Sequence, residues 1–257
     1  MRRIATTLAI LIIVGGAGVA GYAATHRGDP TSPDVNAVAT AMQLPPPAEE
    51  VDAATSALPD IAPSGGGTVP AAGSGRFVPA PGGSAVVGAG RLQRYNVVVE
   101  AEAGVRPEDF AAAVEATIAE PRGWTAPRRW SFQRVAAGPS DFTVHLATPA
   151  TTDRICGRHG VRTLGEVSCR GGRDVVINLK RWILAVPWYA DAITDYRHMV
   201  VNHEVGHFLG HGHVVCGGTG RLAPVMQRQT FGLEGCQRNP WPYPDGRTFL
   251  TGPNAPR

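Results

Sequence analysis

Lysine is almost missing from this chain: of its 24 basic residues, Lys180 alone is not arginine. The arginines are scattered rather than gathered into a stripe, and the net charge is only +3. That pattern argues against a nucleic-acid-binding surface. Cysteine is absent from the first half. The four that exist, Cys156, Cys169, Cys216 and Cys236, include no C-x-x-C pair, which speaks against a zinc–cysteine knuckle. No cysteine follows the N-terminal apolar run, so a lipid anchor there is excluded, and no internal repeat is visible.

What is present begins with that run. Arg2 and Arg3 precede an apolar stretch over residues 4–24, with small residues at Gly21 and Ala23. Residues 1–26 are therefore expected to be a secretory signal peptide or an uncleaved membrane anchor. Basic residues on the N-terminal side direct the remainder outward in either case. An even number of cysteines agrees with an oxidising compartment. Sequence proximity favours the pairs Cys156–Cys169 and Cys216–Cys236, each closure contributing ~3 kcal/mol in the chain-entropy picture. The expected location is secreted, or anchored to the cytoplasmic membrane with the domain outside.

Residues 27–76 are dominated by Ala, Pro, Gly, Ser and Thr. Such a composition buries too little apolar surface to offset ordering, so a disordered linker or a propeptide is expected. A folded domain is expected over 77–257. Strands are expected at residues 94–101, 131–135, 142–147, 165–169 and 174–179, with a turn at 170–173. Pro107 opens a helix to Ala119 whose Phe110, Val114 and Ile118 share one face. A second, longer helix is expected over residues 191–209, and beyond it Gly, Pro and Cys leave little regular structure.

The decisive segment lies at the end of that helix: His203-Glu204-Val205-Gly206-His207-Phe208-Leu209-Gly210-His211-Gly212-His213. Four helical residues turn the chain ~400°, so His203 and His207 stand one above the other and can share a metal ion. Gly210 can adopt the left-handed conformation that ends a helix and returns His213 as a third nitrogen ligand. His211 could replace His213 if the chain turned differently. Five fixed positions in eleven arise by chance in ~1 in 10,000 chains of this length. His145, His159 and His198 fit no ligand pattern and are read as ordinary strand, loop and helix histidines.

This segment resembles the extended zinc motif of the metzincin clan of metallopeptidases, HExxHxxGxxH. The clan has a methionine in a tight turn beneath the metal, and Met226 in Pro224-Val225-Met226-Gln227 is its counterpart. Closer still is the similarity to an uncharacterised actinobacterial family of exported proteins in which the zinc motif, Met region and cysteines recur. The resemblance covers about residues 77–245. It implies an α+β fold: a twisted, mostly parallel five-stranded sheet with one antiparallel edge strand, a backing helix and an active-site helix. It also implies a Zn2+ cofactor held by His203, His207 and His213, and peptide-bond hydrolysis with Glu204 as general base. Substrate would lie extended along the edge strand. Two departures stand out: Arg228 occupies the position where astacin-like members carry a tyrosine ligand, and no C-terminal helix is evident.

His211, Tyr189 and Arg228 are unranked candidates for the oxyanion donor. A cell-wall hydrolase using the same chemistry, and a zinc-stabilised binding module without catalysis, are the competing readings. Expected partners are a peptide or protein substrate, no nucleic acid, and the membrane only through an uncleaved N-terminus. Mass mapping of a non-reduced digest should return Cys156–Cys169 and Cys216–Cys236; free thiols at all four positions in exported protein would contradict the compartment.

Overall fold

The computed structural model describes residues 68–256. The N-terminal apolar run and most of the Pro/Ala/Gly-rich segment lie outside the described residues. The description starts at Thr68, so Phe77 lies inside the described residues. No helix among the described residues is long and apolar enough to cross a membrane.

Seven strands form one sheet. Two are short, β1 (Phe77–Pro79) and β2 (Val87–Gly88); five are β3 (Arg91–Glu100), β4 (Trp130–Arg134), β5 (Phe142–Ala147), β6 (Cys169–Gly171) and β7 (Asp174–Asn178). The main order is β2-β4-β3-β5-β7-β6, with β1 pairing β3 as well. Strands β3, β4, β5 and β7 are parallel, while β1, β2 and β6 run antiparallel to their partners. Four of the five expected strands are present near their expected positions as β3, β4, β5 and β7, the fifth is shifted, and three strands rather than one run antiparallel. Strands β1 and β2 were not foreseen, because two or three residues carry no readable period.

Strand β3 organises the sheet through its alternation: Gln93, Tyr95, Val97 and Val99 are buried, and the residues between them are more open. Strand β4 pairs with its first half and stops level with Tyr95, where β5 begins on the other side. Residues 135–141 therefore cross β3 without running back along it, and β1 takes the edge that β4 leaves.

Helices α1 (Pro107–Ala119) and α4 (Ile193–Phe208) share one core with the sheet, in which Phe110, Val114 and Ile118 meet Tyr196, Val200 and Val205. On the opposite face α2 (Pro149–Gly157) packs Ile155 and Cys156 against Ala147, Cys169 and Val176. The Cys156–Cys169 disulfide staples α2 to β6, and Cys216–Cys236 closes a loop after α4. Helices α2 and α3 (Leu179–Leu184) were not expected; α2 is rich in Thr and polar residues, and its short length hides any period.

The edge strand needs one correction. It spans Cys169–Gly171, not residues 165–169, and the hairpin loop is only Gly172-Arg173. Gly172, at φ +54°, supplies the positive angle that a two-residue hairpin needs at its first loop position. Residues 164–166 form a turn instead, and Asn178 Nδ2 donates to the carbonyls of Gly165 and Val167.

A buried carboxylate ties the ordered N-terminal segment to the domain. Glu100, at the end of β3, is 1 % exposed and accepts from Gly75 N (2.8 Å), Thr148 N (2.8 Å) and Thr151 Oγ1 (2.7 Å). Burial pushes its pKa up, but these hydrogen bonds outweigh burial and hold it below the ordinary value. The stabilisation is therefore complete above the ordinary carboxylate range and is lost as pH falls through the lowered folded value. Glu100→Gln turns an amide donor toward N–H groups and should cost about 1–3 kcal/mol in urea unfolding near neutral pH. The difference from wild type should narrow below about pH 4; equal stability at pH 7 would refute the role.

Candidate metal centre

Helix α4 ends in the arrangement the glycine implies. Gly210 has φ +96°; its N–H reaches His207 O at 3.1 Å, and His211 N–H reaches Gly206 O at 3.0 Å. This pair of bonds is a Schellman cap, and it reverses the chain within one turn. The returning segment is then fixed from two sides. Val214 N donates to Met226 O, while Ala255 N donates to His213 O and Val215 N to Pro253 O. The C-terminal tail, which showed no regular pattern in sequence, thus clamps the residue that completes the site.

The three expected histidines converge. His203 Nε2 lies 3.1 Å from His207 Nε2 and 3.2 Å from His213 Nε2, and the last two are 3.0 Å apart. Nitrogens bound at ~2.0–2.1 Å in a tetrahedral shell stand ~3.3 Å apart, so the spacing suits one small cation. Hydrogen bonds on the far sides of two rings support the same assignment. His203 Nδ1 faces Val225 O at 2.8 Å and His207 Nδ1 faces His211 O at 2.9 Å. A carbonyl only accepts, so each Nδ1 carries the proton and each Nε2 presents a lone pair. His203 is 8 % exposed; burial, then the neighbouring imidazoles, hold its pKa well below the ordinary value. A histidine kept neutral is in the form that binds metal.

Met226 packs beneath this centre. It is 2 % exposed, and a Cβ on Gly206 would run into Met226 Sδ and Trp124 Cζ2. Gly206, which the motif leaves unspecified, is thus required by close approach of the turn to the helix. Val225, next to Met226, supplies the carbonyl for His203, so the turn holds the ligand by hydrogen bond and packing together.

His211 has another job. It lines the cavity at the triad and its ring stacks on Trp124 at 4.6 Å, while its backbone carbonyl accepts from His207 Nδ1. Trp124 in turn donates from Nε1 to Asn202 O at 2.9 Å, so the stack is fixed to α4. Sequence alone gave no sign of Trp124, which lies far from the motif. Of the other candidates, Tyr189 is fully buried with its hydroxyl on Gln229 Oε1 at 2.7 Å and does not line the site. Arg228 does line it. His198 meets Thr117 Oγ1 at 2.8 Å, and His145 and His159 flank Asp174, all away from the triad.

Glu204 is 5 % exposed and lines, with the triad, a cavity of about 360 Å³. Ser168, Cys169 and Arg170 of the β6 edge form one wall, and Arg170 Nη2 donates to His207 O at 2.8 Å. The free sheet edge is thereby linked to the ligand-bearing helix.

Fold and site together define a mixed α+β domain with a mostly parallel sheet and a three-histidine cluster able to hold a metal ion. The chain matches the DUF3152 family, described as a protein of unknown function, over residues 62–244, and belongs to it. No curated protein and no solved structure matches it.

The geometry separates the two third-ligand candidates. His213→Ala should weaken zinc binding by more than the ~10–100-fold typical of losing an outer-sphere partner. His211→Ala keeps the backbone carbonyl and should stay within about tenfold of wild type. Competition titration with a zinc chelator reads both; unchanged affinity in His213→Ala would contradict the assignment.

Proposed function

We propose that this protein is a zinc-dependent peptidase of metzincin type, acting outside the cytoplasmic membrane. One observation carries the reading: a buried carboxylate, Glu204, adjoins three converging imidazole nitrogens in a cavity walled by an antiparallel sheet edge. An all-imidazole triad suits zinc, which when bound polarises an amide carbonyl and lowers the pKa of water. A purely structural site has no use for Glu204, whereas hydrolysis needs a base beside the ligands. Met226 beneath Gly206 and the antiparallel β6 support the metzincin assignment. Among the described residues no helix comes after α4, a departure from the clan's C-terminal helix.

The remaining work falls to residues of the chain itself. Among the described residues β6 pairs only with β7, and an extended peptide would add along its other edge as a further strand. Glu204 accepts a proton from the attacking water and returns it to the departing amine, so one carboxylate serves both transfers. Arg228 and His211 both line the cavity and are the side-chain candidates to face the developing oxyanion. The two disulfides agree with an oxidising location.

Glu204→Gln keeps size and removes the base. Hydrolysis of the best substrate from a peptide library should fall ~10²–10⁴-fold with zinc content unchanged. Cleavage at the wild-type rate with equal zinc would refute the mechanism. Absence of cleavage by zinc-loaded wild type across the library would favour a non-catalytic binding module.

A further inference from the structure

The charge around the cavity is lopsided. Three arginines line it, Arg162, Arg170 and Arg228, against a single carboxylate, Glu204. Some guanidinium groups elsewhere in the domain sit in salt bridges: Arg134 with Glu115, Arg181 with Glu166, Arg238 with Asp191. Neither Arg162 nor Arg170 has a salt-bridge partner among the described residues. Arg170 is half-buried, and its Nη2 is committed to His207 O, which holds the guanidinium beside the ligand helix. Its Nε is buried without any acceptor. Arg162 is exposed at the rim, in a loop anchored where Thr163 and the Gly165 N–H both bond to Asp153 Oδ1.

From this we infer that the cavity is a carboxylate-recognition site, with Arg170 and Arg162 as the pair that selects a substrate bearing a negative charge close to the triad. The inference rests on the peptidase reading for what the bound peptide then undergoes, but not for binding itself. A guanidinium edge matches a carboxylate in two parallel hydrogen bonds, which a neutral amide cannot reproduce. At about 360 Å³ the cavity has room for a side chain or a chain end, not for a large ligand. The carboxylate comes either from an acidic side chain or from a free C-terminus. Val167, Met199 and Phe231 supply the apolar part of the lining and leave the arginines to set charge preference.

Zinc-loaded Glu204→Gln, which binds without turning over, is the protein to use. Three sets of equal-length fluorescein-labelled peptides are compared by anisotropy. One set is neutral with an amidated end, one carries a single Glu placed at each position in turn, and one is neutral with a free C-terminal carboxylate. The inference predicts that at least one carboxylate peptide binds about tenfold more tightly than its neutral counterpart, with the preference shrinking as salt rises. Whichever set responds identifies the source of the charge. Added separately, Arg162→Gln and Arg170→Gln should each reduce the preference, while Arg170→Lys keeps the charge but loses the fork and should restore it only in part. Equal binding of all sets, no binding of any, or a preference untouched in both arginine variants would overturn the inference. Cleavage by wild type is scored separately. Zinc-dependent cleavage of neutral and acidic peptides at equal rates would sink the charge preference and leave the peptidase standing. Selective binding without any cleavage would do the reverse.

Discussion

Three imidazole nitrogens within 3.2 Å of one another, at least two of them presenting lone pairs, repel unless a cation lies between them. Much of the chain beyond β7 answers to that constraint. Helix α4 supplies two rings one turn apart, the Schellman cap at Gly210 reverses the chain, and the tail at residues 253–255 pins the third. Carbonyls of Val225 and His211 then set which nitrogen of two rings points inward. Such outer partners orient ligands as firmly as the metal does.

The polypeptide after α4 has almost no regular structure, yet residues 223–227 and 239–243 within it are buried. Backbone groups in such a segment need partners other than a ladder. Polar side chains provide them. Gln229 Nε2 donates to Pro224 O and Asn239 O, while Asn239 Nδ2 donates to Ala223 O and Trp241 O. Gln229 also accepts from Tyr189, joining this loop to the turn ahead of α4. The Cys216–Cys236 bridge closes the same region. The sheet reaches the centre from the opposite side through Arg170, whose strand is held to α2 by the other disulfide.

The legible parts of the molecule were those in which one local pattern meets one physical demand. Phe110, Val114 and Ile118 fixed the buried face of α1, and Pro107 marked its first residue. The histidine spacing identified the triad because helical geometry turns i, i+4 into proximity without help from elsewhere. Gly210 was readable for the same reason. Contacts made by distant segments were not. Trp124 under His211, the tail on His213 and the glutamine–asparagine hubs depend on tertiary packing that leaves no period in sequence. The edge strand was misplaced by a few residues because Gly171-Gly172 reads as turn, and only the pairing of Gly171 with Asp174 shows that one glycine belongs to the strand. Strands of two or three residues, β1 and β2, form because β3 and β4 offer them edges, not because their own residues demand it.

His203, His207 and His213 could hold one metal ion, which we propose is zinc with a fourth position left open. X-ray absorption at the zinc edge, on protein purified with zinc and no added buffer ligands, tests it most directly. Expected are one zinc per chain and a first shell of four nitrogen or oxygen scatterers at ~2.0–2.1 Å, with the outer-shell scattering of three imidazole rings. A shell containing sulfur, a six-coordinate oxygen-rich shell, or protein that binds no zinc while remaining folded would contradict it.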